Sequence, residues 1–105
     1  MLTLTKRNLA KFEASAAEAA GMLKALSNER RLMVLCQLGA GELSVGALQD
    51  RLDLSQSALS QHLAVLREEG IVTTRRDGQT IFYRIADPNA VKIIETLASI
   101  YCPEK

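Results

Sequence analysis

The chain has 105 residues, 48% of them hydrophobic and 24% charged, with a net charge of +1. That is one domain's length, and the charge balance excludes a disordered polyion. With 4% aromatic residues and no Trp, a stacking platform for single-stranded nucleic acid is excluded as well.

A chain this size buries roughly 65% of the surface its unfolded form exposes, so partner subunits would help it. A balanced total charge still leaves room for a basic face. No stretch approaches the ~18 consecutive apolar residues of a membrane span. The first residues, MLTLTKRNLAKFEASAAEAAG, carry charge through their apolar part and lack the order of a signal peptide. A cytoplasmic location is therefore expected, and two cysteines in a reducing compartment are not expected to form a purely structural disulfide.

Residues 8–25 read as a first helix, with Leu9, Phe12, Ala16, Ala19 and Leu23 in one apolar stripe. Ser27 is the expected N-cap of a second helix, and Glu29 sits in its first turn, where the helix dipole favours an acid. This helix runs to about Leu38 with Leu32, Leu35, Cys36 and Gly39 on one inward face, and Gly39 and Gly41 end it. Ser44 caps a short third helix, Val45 to Leu52. Asp53-Leu54 turns the chain into Ser55, the N-cap of a fourth helix that Gly70 closes. The period then changes. IVTTRR is β-branched, Asp77-Gly78 marks a hairpin turn and QTIFYRI returns. Asp87-Pro88 is an N-cap followed by Pro at the first helical position. A last helix over 88–102 carries Val91, Ile94, Leu97, Ala98 and Tyr101, with Pro103 just past it. The expected fold is mainly α with one β-hairpin: four helices, hairpin, helix, in a single domain over 1–105.

The fourth helix, SQSALSQHLAVLR, turns Leu59, Leu63 and Leu66 inward and Gln56, Ser57, Ser60, Gln61 and Ala64 outward. A merely solvated face would gain more from long charged residues, which pair at i,i+4 and favour the helix. Short hydrogen-bonding side chains suit close approach to another body. The major groove of duplex DNA admits a helix and presents donors and acceptors that Ser and Gln can meet. With the short helix before it, the segment is a helix-turn-helix over about 44–68. The hairpin over about 71–85 adds Arg75, Arg76 and Gln79 at or beside its tip. Two adjacent arginines on a strand project to opposite faces, so at least one can point at phosphate. A helix-turn-helix with a basic hairpin is a winged helix-turn-helix. Candidate DNA-contact residues are Ser55, Gln56, Ser57, Ser60, Gln61, His62, Arg67, Arg75, Arg76 and Gln79, with Arg84 a further candidate for phosphate. No catalytic set suggests itself, and the single His lies in the reading segment, so an enzyme is not expected.

LKALSNERRLMVLCQL and ELSVGALQDRLDLSQSALSQHLAVLREEGIVTTRRDGQTIFYRI together resemble the ArsR/SmtB family of bacterial winged-helix repressors, over about residues 20–102. The resemblance implies a homodimer paired through the first and last helices, about 8–25 and 88–102, gripping an inverted repeat in promoter DNA. Relatives that bind soft metals carry ELCVCDL in the third helix, whereas this chain has ELSVGAL, with Ser44 and Gly46 where the thiols would be. The zinc or nickel type places Asp, His and Glu along the last helix. Here that stretch offers Asp87, Glu95 and Glu104 without His. No metal or other cofactor is therefore expected.

By themselves Cys36 and Cys102 read equally well as small buried hydrophobes. The resemblance implies more. A dithiol subgroup, of the biofilm growth-associated repressor type, carries one Cys late in the second helix and one near the chain's end. It responds to reactive sulfur or oxidant by joining the two through a disulfide or polysulfide, which lowers DNA affinity. Attack requires thiolate, so one of the two is expected to be partly accessible with a lowered pKa. Relatives that repress, or displace another silencer, without a thiol switch form the alternative.

Overall fold

The computed structural model describes residues 5–102. In chain order the elements are α1 (Lys6–Leu26), α2 (Glu29–Leu38), β1 (Leu43–Ser44), α3 (Val45–Arg51), α4 (Gln56–Glu68), β2 (Val72–Asp77), β3 (Thr80–Ile85) and α5 (Pro88–Tyr101). This is the expected order of four helices, hairpin and helix, with the short strand β1 added. Pro103 and Glu104, to which the sequence reading gave places after and along the last helix, lie outside the described residues.

The core is aliphatic. Leu35 and Leu38 of α2, Leu48 of α3, Leu59, Leu63 and Leu66 of α4, Ile71 and Val72, and Ala90 and Ile94 of α5 pack into one buried cluster. The three α4 leucines are the ones its spacing turns inward. Their burial leaves the opposite side of α4 uncovered.

Helix ends follow local hydrogen bonding. Asn28, rather than Ser27, caps α2. Its Oδ1 accepts from the backbone N–H of Arg30 and Arg31 at 2.9 and 3.0 Å, while Ser27 terminates α1. Asn and Ser are comparable caps, and α1 continues through Leu26, so the cap falls one residue later. Ser55 caps α4, accepting from the Ala58 N–H at 3.1 Å. At the other end Gly70 adopts φ +76°. The Gly70 N–H donates to Arg67 O and the Ile71 N–H to Leu66 O, the Schellman closure that needs a left-handed residue.

The sheet has order β1-β3-β2, all antiparallel. Asp77 pairs with Thr80, so the hairpin loop is Gly78-Gln79, one residue later than Asp77-Gly78. Gly78 supplies the positive φ, +64°, that a tight hairpin loop requires at its first position. Leu43 and Ser44 pair with Tyr83 and Phe82 and tie the middle of β3 to the start of α3.

Cys36 departs from expectation. It is exposed, because the inward arc of α2 is set by Val34, Leu35 and Leu38. Cys36 lies on the far side of that arc.

α1 buries only Ala25 and Leu26. Leu9, Phe12 and Leu23 remain exposed on it, as do Ile100 and Tyr101 on α5. The radius of gyration is 15.7 Å, against about 13 Å for a compact chain of this length. The extents along the chain's principal axes, 51 × 35 × 21 Å, show the elongation behind the excess. Among the described residues no helix is long and apolar enough to cross a membrane.

Candidate nucleic-acid interface

The short α3, the turn Leu52–Leu54 and α4 build a helix-turn-helix. The Gln49 side-chain amide donates to Leu54 O at 3.1 Å and fixes the turn. Gln56, Ser57, Ser60, Gln61 and Ala64 are all exposed on α4. The two flanks of this ridge differ. On one, Ser60, Ala64, Arg67 and Glu68 line a groove shared with Val45 of α3 and Tyr83 of β3. That flank faces the hairpin. The other flank carries His62, half-buried and within electrostatic reach of the first turn of α2. Burial and then the guanidiniums of Arg31 and Arg30 hold its imidazole below the ordinary range. Ser55 has its hydroxyl engaged as the helix cap and lies 3.4 Å from the Ser57 hydroxyl. It orients the first turn of the ridge.

The hairpin separates its two arginines. Arg75 is not a free cation. Its Nε donates to Glu42 Oε2 at 2.8 Å and its Nη2 lies 2.8 Å from Oε1, a forked pair. Its guanidinium also stacks 4.5 Å from the centre of the Phe82 ring. The hydrogen bond from Arg75, then its charge and that of Arg84, hold the Glu42 carboxyl below the usual range. Arg75 thus fastens the hairpin to the chain just before β1, and of the two adjacent arginines it is Arg76 whose charge is unpaired among the described residues. Glu42 was missed because its partner is far along the sequence, and only the β1–β3 pairing brings the two together. Arg76 and Gln79 are exposed at the tip. Among the described residues Arg75–Glu42 is the one ion pair, so Arg76 keeps its charge available. Replacing Arg76 by Gln is expected to flatten the salt dependence of duplex binding by about one counterion. Arg75→Gln should flatten it by clearly less, as measured by fluorescence anisotropy titrations at several salt concentrations.

The two cysteines lie at the edge of the same body. Cys36 is in the last turn of α2, and Cys102, also exposed, is the C-cap of α5, its N–H donating to Ala98 O at 2.7 Å. α2 and α5 pack together. Burial pushes the Cys36 thiol up, and a negative charge on Cys102 pushes it further, so the two sulfurs share one electrostatic neighbourhood. The shift runs opposite to the lowered pKa expected of an activated thiol. Among the described residues no group of three or more His, Cys, Asp or Glu side chains is placed to hold a metal ion.

Residues 28–74, the stretch from the α2 cap through the helix-turn-helix into β2, match the family described as bacterial regulatory protein, arsR family. The chain is 53% identical over 95 residues to the transcriptional activator HlyU of Vibrio cholerae, covering 90% of this chain and 88% of that protein. It is 51% identical over 94 residues to the biofilm growth-associated repressor of Agrobacterium fabrum, covering 89% and 80%. The chain belongs to the arsR family of bacterial regulatory proteins. Among solved structures, the transcriptional repressor BigR from Xylella fastidiosa superposes on this arsR-family chain with a TM-score of 0.85 at 42% identity, over 96% of this chain and all of that one (100%). The homodimeric winged helix-turn-helix DNA-binding domain Mb0332 from Mycobacterium bovis gives a TM-score of 0.75 at 29% identity, over 96% and 90%. The fold is a winged helix-turn-helix, and its relatives are transcriptional regulators rather than enzymes.

Proposed function

We propose that this chain is a homodimeric cytoplasmic repressor that grips an inverted repeat in promoter DNA and loosens when Cys36 and Cys102 are joined. The observation that carries the switch is the thiol pair itself. Two free, exposed cysteines, one in the last turn of α2 and one capping α5, sit on helices that pack together, and charge on Cys102 perturbs Cys36. For the grip, the support is the uncovered Ser/Gln ridge of α4 beside the free Arg76. For the dimer, it is the exposed apolar side chains of α1 and α5, which a single copy does not bury, and the homodimeric state of the Mycobacterium bovis relative. The whole chain, 1–105, acts as one winged unit, the helices over about 8–25 and 88–102 pairing it with its copy.

The signal is a reactive sulfur species or an oxidant. With a polysulfide, one cysteine thiolate attacks a sulfane sulfur, becomes a persulfide and releases a polysulfide one sulfur shorter. The second thiolate attacks the protein-side sulfur of that persulfide and expels hydrosulfide, leaving a disulfide. Persulfides on both cysteines condense instead to a trisulfide with loss of hydrogen sulfide. Either way the two electrons lost by the thiols reside in the expelled sulfide. With peroxide, the same two electrons reduce the O–O bond to water. Burial raises the Cys36 pKa, so at neutral pH it offers less thiolate than an ordinary cysteine in whichever step it attacks.

The test is duplex binding by the purified protein when reduced, peroxide-treated and polysulfide-treated, with mass spectrometry on each sample. Tight binding when reduced and weakened binding with an intramolecular bridge after treatment is the expected pattern. Bridge formation with unchanged affinity would remove the switch and leave the alternative, an arsR-family repressor or anti-silencer with inert cysteines.

A further inference from the structure

The geometry points to a second phosphate grip, formed by Arg30 of α2 and Arg51 of α3, on the side of α4 away from the wing. The inference rests on α4 entering the major groove as proposed above.

A helix lying in that groove, about 12 Å wide, has a sugar-phosphate strand on each side. On the wing side of α4 the structure supplies Arg67 and the free Arg76. The other side carries the first turn of α2 and the last turn of α3. Arg30 and Arg51 line one shallow groove there, together with Met33 and the turn residues Leu52, Asp53 and Leu54 that lead into the α4 cap. Both arginines are exposed, and among the described residues neither has a carboxylate within ion-pairing distance, that of Asp53 included. Arg30 also lies near enough to His62, on this same flank of α4, to oppose its protonation. Arg31 differs. Its Nε donates to Ala25 O, so its guanidinium is held against the end of α1. Two unpaired guanidiniums beside the entrance of a reading helix match the charge of a phosphate strand, and the fork of Arg suits its oxygens. The sequence reading missed both residues because they precede the helix-turn-helix ridge and look like ordinary surface charge.

The test compares the salt dependence of affinity for one operator-like duplex across wild type, Arg30→Gln, Arg51→Gln, the double variant and Lys92→Gln. Lys92, exposed on α5, is the distant control. Each lost phosphate contact should lower the slope of log K against log salt by about 0.9. The preference for specific over random duplex should stay constant, and Lys92→Gln should leave the slope alone. Arg30→Lys should restore most of it. Thermal melts accompany each variant, and where Arg30→Gln lowers the melting temperature, Arg51→Gln alone decides. A slope equal to wild type in Arg51→Gln, or in a folded double variant, overturns the second grip while the wing and ridge stand. A wild-type protein that binds no duplex instead overturns the reading beneath it.

Discussion

Replacing Ser57, Gln61 and Arg76 together by Ala is expected to lower operator affinity by roughly 10²- to 10³-fold while leaving the fold intact. The magnitude follows from what each side chain can offer. Gln61, exposed mid-ridge, can pair with a base edge in two places, and a lost contact of that kind costs about 1–3 kcal/mol. The Ser57 hydroxyl is good for one neutral hydrogen bond, about 1 kcal/mol. Arg76 contributes a phosphate contact whose value falls with salt. Folding should be spared because none of the three touches the aliphatic core, which α4 joins through Leu59, Leu63 and Leu66. The single variants should separate by kind. Gln61→Ala should relax sequence preference, whereas Arg76→Ala should weaken all duplexes alike. Anisotropy titrations against specific and scrambled duplexes measure both. An unchanged operator affinity in the triple variant would remove α4 and the wing from the interface.

Much of this interface was legible in one dimension. Leucines at three- and four-residue spacing fixed which side of α4 is buried, and the ridge followed by subtraction. Asp77-Gly78 marked the hairpin to within a residue, because a glycine's tolerance of positive φ is a local property. What escaped depends on contacts between distant segments. The forked pair of Arg75 with Glu42 exists only because β1, two residues long and without a readable period, pairs with β3. The second pair of arginines becomes a feature only when α2 and α3 are folded against the turn into α4. Cys36 was turned the wrong way for another reason. A helix of ten residues with Leu32, Val34, Leu35 and Leu38 allows more than one inward arc, and neighbouring elements choose between them. The helix-turn-helix was therefore readable from local rules, while the electrostatics of its flanks and the aspect of the thiol were not.

Cys36→Ser and Cys102→Ser should each bind operator as the reduced wild type does and should each lose the response to polysulfide. Neither side chain belongs to the buried core, so reduced-state affinity has no reason to change. The response should vanish because a bridge needs both sulfurs. In the wild type, a bridge would fasten the last turn of α2 to the end of α5. The opposite end of α2 carries Arg30 and Arg31 beside His62, and α2 packs on α4. A pull at Cys36 would thereby be delivered to the flank of the reading helix and, through α5, to the surface expected to pair the two copies. Couplings of about 1–3 kcal/mol lower affinity about 5- to 150-fold, enough to vacate a promoter. The chemistry should carry a pH signature of definite sign. Thiolate is the attacking form, and Cys36 is held mostly protonated at neutral pH, so closure limited by Cys36 should accelerate up to about tenfold per unit between about pH 7 and 8.5. Under the proposed switch, span would set the choice of signal. A direct disulfide needs Cα atoms ~4.4–6.8 Å apart, and inserted sulfur relaxes that demand. If the resting separation exceeds the disulfide range, polysulfide should leave a bridge heavier by retained sulfur, and peroxide should act poorly. Equal bridging by peroxide would dismiss selection by span yet keep the dithiol switch. An undiminished response in both serine variants would dismiss the switch.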